Sequence, residues 1–389
     1  MKFLYTKTSG ETFYLSQTSV DTGASEIILS FDTQVDELLD FLKITGHSIE
    51  YLSSAYLEVQ KCLSLSKDEL FHALPSNTLQ AALRSAVEAA QNTLCDKEHS
   101  EYLVTYLSIK RFLRSLSPAF INTQQLKKVA NEEEHIPTQQ RMEEFRPLKG
   151  QQQAPPTVYG VAETSTGRLV VTSGPQILTV KSSMRSAFAS RFPKGEVLQI
   201  DLVAAEPNIA LKATGQDHEG DVYTHISNKV LNGQVSRSSA KLITLSALYG
   251  QSYKNLSKQL PNDINPASVV RKTREFFQVE QLEAMLNSDL KAKRLKNALG
   301  RPINLSLENK RKSVNYFLQS SAAEIACLVF SKWCKDNNSK CVPCYIIHDA
   351  LIVDCTEHLS RELLTDNIIK LSIGDWSFDA KVTLLREYE

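Results

Sequence analysis

The sequence lacks net charge: 44 Lys and Arg residues balance 44 Asp and Glu. The field of the whole molecule therefore announces no polyanion partner, and any such partner must be held by local clusters. The chain also lacks an apolar run near the roughly 20 residues that cross a bilayer, and the FLY after Met1-Lys2 is too short for a signal-peptide core. Membrane partners are excluded on that ground, and the cytoplasm is the expected compartment. No internal repeat is present. A disulfide framework is missing as well, because Cys62, Cys95, Cys327, Cys334, Cys341, Cys344 and Cys355 are scattered and odd in number, as reduced thiols are. CVPC (341–344) has the spacing of a zinc ligand pair, but it opens an apolar segment, and no second CxxC or His pair completes four ligands.

What is there points to a large soluble fold. With 389 residues and 42% hydrophobic composition, the chain can bury a sizeable core and should split into two or three subdomains. The first 35 residues alternate as short strands do, with a turn at Ser9-Gly10. Leu38, Phe41 and Leu42 then begin a helical stripe, and 78–92 and 101–116 continue at helical spacing. The Pro, Gln and Gly of 144–160 read as a connector, after which short strands such as RLVV (168–171) and EVLQID (196–201) alternate with helices. In SFDTQVD (30–36) a strand-end Asp-x-Glu would suggest an exonuclease, but Gln34 follows Asp32, so Asp32 or Thr33 is expected to cap a helix.

Three stretches carry chemistry. Asp201 ends a strand-like run, and His348-Asp349 sits between two apolar runs as the tip of a hairpin. Each alone is ordinary turn chemistry; brought together, two carboxylates would repel unless a dication lay between them, and magnesium is the natural occupant. In RSSAKLITLSALYG (237–250), Arg237, Lys241, Leu245 and Tyr249 fall four residues apart on one side of a helix that Gly250 should end. Two cations near a helix amino terminus make a phosphate site, and an apolar side chain with a phenol offers a floor for a base. Two basic stretches could hold a polyanion: Lys181, Arg185, Arg191 and Lys194, and then KAKRLK (291–296) with Arg301 and KRK (310–312). A solvated helix face is the ordinary reading of either alone.

Jointly these motifs resemble the family A DNA polymerases, the DNA polymerase I family. RSSAKLITLSALYG is similar to the family's fingers helix, QIDLVAAEPNIAL (199–211) to the palm strand with the first catalytic Asp, and IIHDALIVDC (346–355) to the His-Asp hairpin with the second. TSTGRL (164–169), MRSAF (184–188), LGRP (299–302) and NYFLQSSAAE (315–324) match smaller motifs in the proper order, so the likeness covers about residues 100–389.

The resemblance implies an α+β right-hand fold with an antiparallel-sheet palm, helical fingers and a helical thumb. On it, 1–38 is an N-terminal β-containing segment, 39–120 the thumb, 121–160 a connector, 161–235 the first part of the palm, 236–300 the fingers and 301–389 the second part of the palm. It implies a DNA-directed DNA polymerase acting in replication or repair in a bacterial or phage-infected cell, with no room for a proofreading domain. Asp201 and Asp349 would hold two Mg2+ ions, for which Mn2+ can substitute. Arg237 and Lys241 would grip the deoxynucleoside triphosphate, with Lys241 donating a proton to pyrophosphate, while Leu245, Tyr249 and Glu206 would complete the nucleotide site. Arg168, Asn315, Gln319, His348, Lys293, Arg294 and Lys310 would contact primer-template DNA, and an accessory protein could supply processivity.

Three departures stand out: Leu245 replaces the family's Phe, Ala350 the acidic residue after His-Asp, and LVAA (202–205) the family's Tyr-Ser-Gln-Ile. They leave room for two rivals, an RNA-synthesising or primase-like relative, against which Glu206 speaks, and an inactive DNA-binding scaffold.

Overall fold

A computed structural model describes residues 40–46 and 97–385, together with strands at 4–6 and 12–14 and isolated positions between 58 and 93. The expected turn at Ser9-Gly10, the cap at Asp32 or Thr33, and most of helix 78–92 lie outside the described residues. The chain divides into two compact units, residues 1–110 with 300–304 and the remainder.

In the first unit, β1 (Leu4–Thr6) pairs antiparallel with β2 (Thr12–Tyr14). Residues 40–44 are helical, and α1 (Lys97–Arg114) begins here. Phe41, Tyr102 and Tyr106 are buried together with ring centroids 5.6 to 6.4 Å apart. Arg301, expected on a basic surface, is instead buried and donates to the Tyr102 hydroxyl at 3.3 Å.

The second unit opens with β3 (Phe120–Ile121), α2 (Thr123–Glu132) and α3 (Ile136–Glu143), so the polar stretch after 121 carries two helices, the first capped by Asn122. Then follow β4 (Val158–Gly160), β5 (Val170–Ser173), β6 (Phe188–Ala189), β7 (Glu196–Leu202), α4 (Ala205–Ala213) and α5 (Val222–His225). A helical stretch comes next, α6 (Arg237–Tyr249), α7 (Tyr253–Ser257), α8 (Pro266–Phe276), α9 (Val279–Lys291) and α10 (Ser313–Asp336). The chain closes with β8 (Cys341–Ile347), β9 (Ala350–Cys355), α11 (Glu357–Asp366), β10 (Ile368–Ile373) and β11 (Trp376–Leu384).

The core is an antiparallel sheet in the order β10-β11-β7-β9-β8. The fold is thus α+β, with its sheet antiparallel as expected. β7 and β9 are central and read as nearly continuous apolar runs because both faces are covered, with Leu198, Ile200, Leu351 and Ile352 fully buried. α10 packs on α4, α9 and β10, and its buried residues run almost all round its circumference, which makes it a core helix. CVPC lies within the edge strand β8, where Pro343 adjoins a bulge and costs no ladder bond. Its two thiols are buried and free.

The basic stretch at 181–194 does not form a charged surface. Arg191 donates to fully buried Asp354 from Nε and from its backbone N–H, each at 2.9 Å, and to Ser117 and Pro118. Arg185 is buried on the Gln199 amide and the Val180 carbonyl, and Lys181 pairs with Glu133 at 2.6 Å. Burial overrides the sequence reading here, since the guanidiniums fasten the β6–β7 corner to the sheet. Asp354→Ala would strand the Arg191 charge and should cost about 3–5 kcal/mol of stability. Urea denaturation checks this, and a loss below about 1 kcal/mol would show the pair to be dispensable.

Candidate active site

The site is built where β7 runs into α4. Asp201 is the penultimate residue of the strand, and the next amide, Leu202 N–H, donates to the Asp349 carbonyl at 3.1 Å. With the β7–β9 ladder, in which Asp201 faces Ala350, that bond sets the β8–β9 hairpin tip beside the end of β7, so two acids far apart in sequence share one edge of the sheet. The tip turns through His348 in the left-handed region, φ 56°. Ala204 is left-handed too, φ 51°, which costs a non-Gly residue about 1 kcal/mol or more. It bends strand into helix within two residues, and the amide end of α4 with Glu206 in its first turn meets the same edge.

Helix α6 faces this edge. Ser236 caps it by accepting from Ser239 N–H at 3.1 Å, and Gly250 ends it at φ 68°. Its buried side is Ala240, Ile243, Thr244, Ala247 and Leu248, so Arg237, Lys241, Leu245 and Tyr249 are left on the open face. Arg237 is held by Asp221, which accepts from Nε at 2.5 Å and from Nη2 at 3.1 Å while also capping α5. The buried Tyr223 ring lies beneath both cations, 5.4 Å from the Arg237 guanidinium and 6.0 Å from the Lys241 ammonium. Tyr249 donates its hydroxyl to the Glu206 carboxylate, which also lies 3.8 Å from Arg168.

Between these parts is a cavity of about 440 Å³, lined by Arg168, Asp201, Glu206, Tyr223, Arg237, Lys241, Leu245, Gln319, His348, Asp349 and Lys381 among others. Nine of the expected site residues therefore share one cavity, and Tyr249 joins through Glu206. Asn315 does not line it but lies one turn before Gln319 on α10; Lys293, Arg294 and Lys310 are exposed outside it. Tyr223, Asp221 and Lys381 were missed. Asp221 and Thr224 form a cap signal that the sequence offered, whereas Lys381 becomes visible only through strand pairing.

The acids are held in a costly state. Burial first, and then the charge of Asp349, push Asp201 up to about 7, against the pull of Lys241, Lys381 and Arg185. Burial likewise raises Asp349, and it raises Glu206 to about 7. His348 is lowered by burial and by the Arg168 charge. Two carboxylates that resist ionising side by side fit a divalent cation, which removes the repulsion. Among the described residues no group of three or more His, Cys, Asp and Glu is placed to hold a metal.

Carboxyls raised above their ordinary range, as Asp201 and Glu206 are, contribute stability that is full below about pH 4 and lost as pH rises through about 7. In EDTA the melting temperature of the wild type relative to Asp201→Asn should therefore fall between pH 5.5 and 8, and Mg2+ should reverse much of that fall. Parallel curves with and without Mg2+ would contradict the cation fit.

Residues 152–384, more than half the chain, match the family model described as DNA polymerase family A. The POL domain of Pol1 from M. smegmatis, solved with DNA primer-template and dNTP, aligns with 85% of this chain at 17% identity and a TM-score of 0.43; the chain spans 60% of that domain's length. No curated protein sequence matches.

Proposed function

The chain belongs to DNA polymerase family A, and from that membership we propose that it is a template-directed DNA polymerase that adds deoxynucleotides to a primer 3′-hydroxyl. The observation that carries this reading is the cavity in which Asp201 and Asp349, joined through the Leu202 amide, face the Arg237–Lys241 side of α6. It supplies what phosphoryl transfer needs, a place for charge on either side of the reacting phosphate.

Asp201 and Asp349 would hold two Mg2+ ions, with Mn2+ as substitute; when bound, the ions activate the attacking hydroxyl and neutralise the leaving oxygen. Arg237 exchanges its bond to Asp221 for the triphosphate, a like-for-like replacement of one anion by another. Lys241, one turn on, binds the same phosphates and donates a proton to departing pyrophosphate. Leu245 gives the incoming base apolar contact without aromatic stacking, and Tyr249 packs beside the templating position. Glu206, fixed by the Tyr249 hydroxyl, closes the 2′ side of the sugar. Arg168, Gln319 and His348 then face the primer terminus, and Asn315 follows on the same helix. Lys293, Arg294 and Lys310 contact the duplex backbone, where each would contribute to salt dependence. In this reading 236–300 serve as fingers, 161–235 and 301–389 as the palm, and the helices of 39–120 as the thumb.

Within this chain, SFDTQVD (30–36) has Gln34 where the exonuclease pattern has a second acid, so these residues would supply no proofreading. A primer ending in a mismatch should persist rather than be trimmed.

The test is extension of a recessed DNA duplex with the four deoxynucleotides, in Mg2+ and in EDTA. Extension in Mg2+ alone supports the proposal. Extension by ribonucleotides in preference would favour the RNA-synthesising rival, and duplex binding without extension the scaffold.

A further inference from the structure

We propose that Lys381 is a third cation for the nucleotide's triphosphate, delivered by the last strand of the palm sheet to the opposite side of Asp201 from Asp349. The inference rests on the polymerase reading of the cavity and adds a residue that the motifs do not contain.

The placement follows from register. Antiparallel partners directly opposite each other project their side chains to the same face of a sheet. Asp201 has Ala350 opposite it on β9 and Lys381 opposite it on β11. Since β7 lies between β9 and β11, the hairpin with Asp349 flanks Asp201 on one side and Lys381 flanks it on the other. Lys381 lines the same cavity as Arg237 and Lys241, and its charge acts on Asp201. The two α6 cations cover that cavity from the helix, and Lys381 answers them from the sheet.

Its state differs from theirs. Arg237 is occupied by Asp221, and Lys241 lies over the Tyr223 ring. Lys381 is exposed, and among the described residues its ammonium has no ion pair or hydrogen bond, so beyond its longer-range pull on Asp201 it is open to an incoming anion. A lysine held on a strand beside two buried carboxylates favours the charged form of Asp201 and leaves its exposed ammonium to meet an anion entering the cavity, and a triphosphate is such an anion. The position also bears on this chain's departures, since Ala350 and LVAA (202–205) remove polar groups from the same edge. The compact, flexible ammonium of Lys suits a phosphate whose exact position shifts as the nucleotide enters and pyrophosphate leaves.

The experiment compares wild type with Lys381→Met and Lys381→Arg on full-length protein. Each is bound to a primer-template whose primer ends in a dideoxynucleotide, so that binding is read without turnover, and is titrated with the matched deoxynucleotide in Mg2+. Lys381→Met should weaken nucleotide binding about tenfold, as loss of one charge-assisted phosphate contact does, while Lys381→Arg stays within about threefold of wild type. In turnover the loss should fall on KM rather than kcat, and duplex affinity and melting temperature should be unchanged. A second titration uses inorganic tripolyphosphate with Mg2+ and no DNA. Dependence on Lys381 there, with no preference for the matched nucleotide on duplex even in wild type, would keep the anion site and sink the polymerase reading. Lys381→Met binding nucleotide and tripolyphosphate as tightly as wild type would overturn the proposal, as would a weakening that Lys381→Arg does not rescue.

Discussion

Asp349→Ala is expected to lower the rate of nucleotide addition by at least about a thousandfold, with duplex affinity within twofold of wild type. The effect should be this large because the centre has little redundancy. Ala350 offers no third acid at the hairpin, and no cluster of three or more candidate ligands exists among the described residues. With Asp349 gone, Asp201 alone cannot fix both the attacking and the leaving oxygen. The same substitution should raise the melting temperature in EDTA, because burial holds Asp349 above the ordinary carboxylate range and its removal also relieves Asp201, which the Asp349 charge pushes up. A gain in stability together with a loss of activity is the signature of a functional pair of buried charges. Single-turnover extension and thermal denaturation on one preparation check both halves. A loss of less than tenfold would place the metal elsewhere.

Glu206→Ala should reduce discrimination against ribonucleotides by about a hundredfold, with deoxynucleotide efficiency falling less than tenfold. Glu206 stands in the first turn of α4 and lines the cavity, and it is anchored at two points, the Tyr249 hydroxyl and, more loosely, Arg168. A ribose 2′-hydroxyl entering there meets a side chain that cannot swing away and whose oxygens are already engaged. Removing the carboxylate opens space and leaves no buried partner unpaired on the sugar. Tyr249→Phe should produce a smaller change in the same direction, since it frees Glu206 without deleting it. The ratio of kcat/KM for matched deoxy- and ribonucleotides measures both variants, and an unchanged ratio for Glu206→Ala would remove the residue from sugar selection.

How much of this was legible depends on the range of the interaction. α6 could be read from Arg237 to Tyr249 because its signals are local: Ser236 before it, Gly250 after it and an apolar stripe between. Asp201 at a strand end and His348-Asp349 at a hairpin tip were legible for the same reason, in the change from apolar run to turn. Their joining through the Leu202 amide was not, because a backbone bond between residues 202 and 349 leaves no trace in either segment. Lys381 needed the register of β7 with β11, which is set by the whole sheet. The stretch from Lys181 to Lys194 misled because charge in a sequence carries no burial, and Arg185 and Arg191 turn inward to Gln199 and Asp354. The helices α2 and α3 went unread because they are mostly polar, with Leu126, Ala130, Thr138 and Met142 as their buried anchors.

In the proposed reaction this cavity joins to a primer the nucleotide chosen by a template. Four primer-templates differing only in the templating base, each offered the four deoxynucleotides one at a time in Mg2+, test it most directly. One addition per template is expected, the complementary one, and none when Asp349 is replaced by Ala. Addition that ignores the template, or duplex held firmly with nothing added, would contradict it.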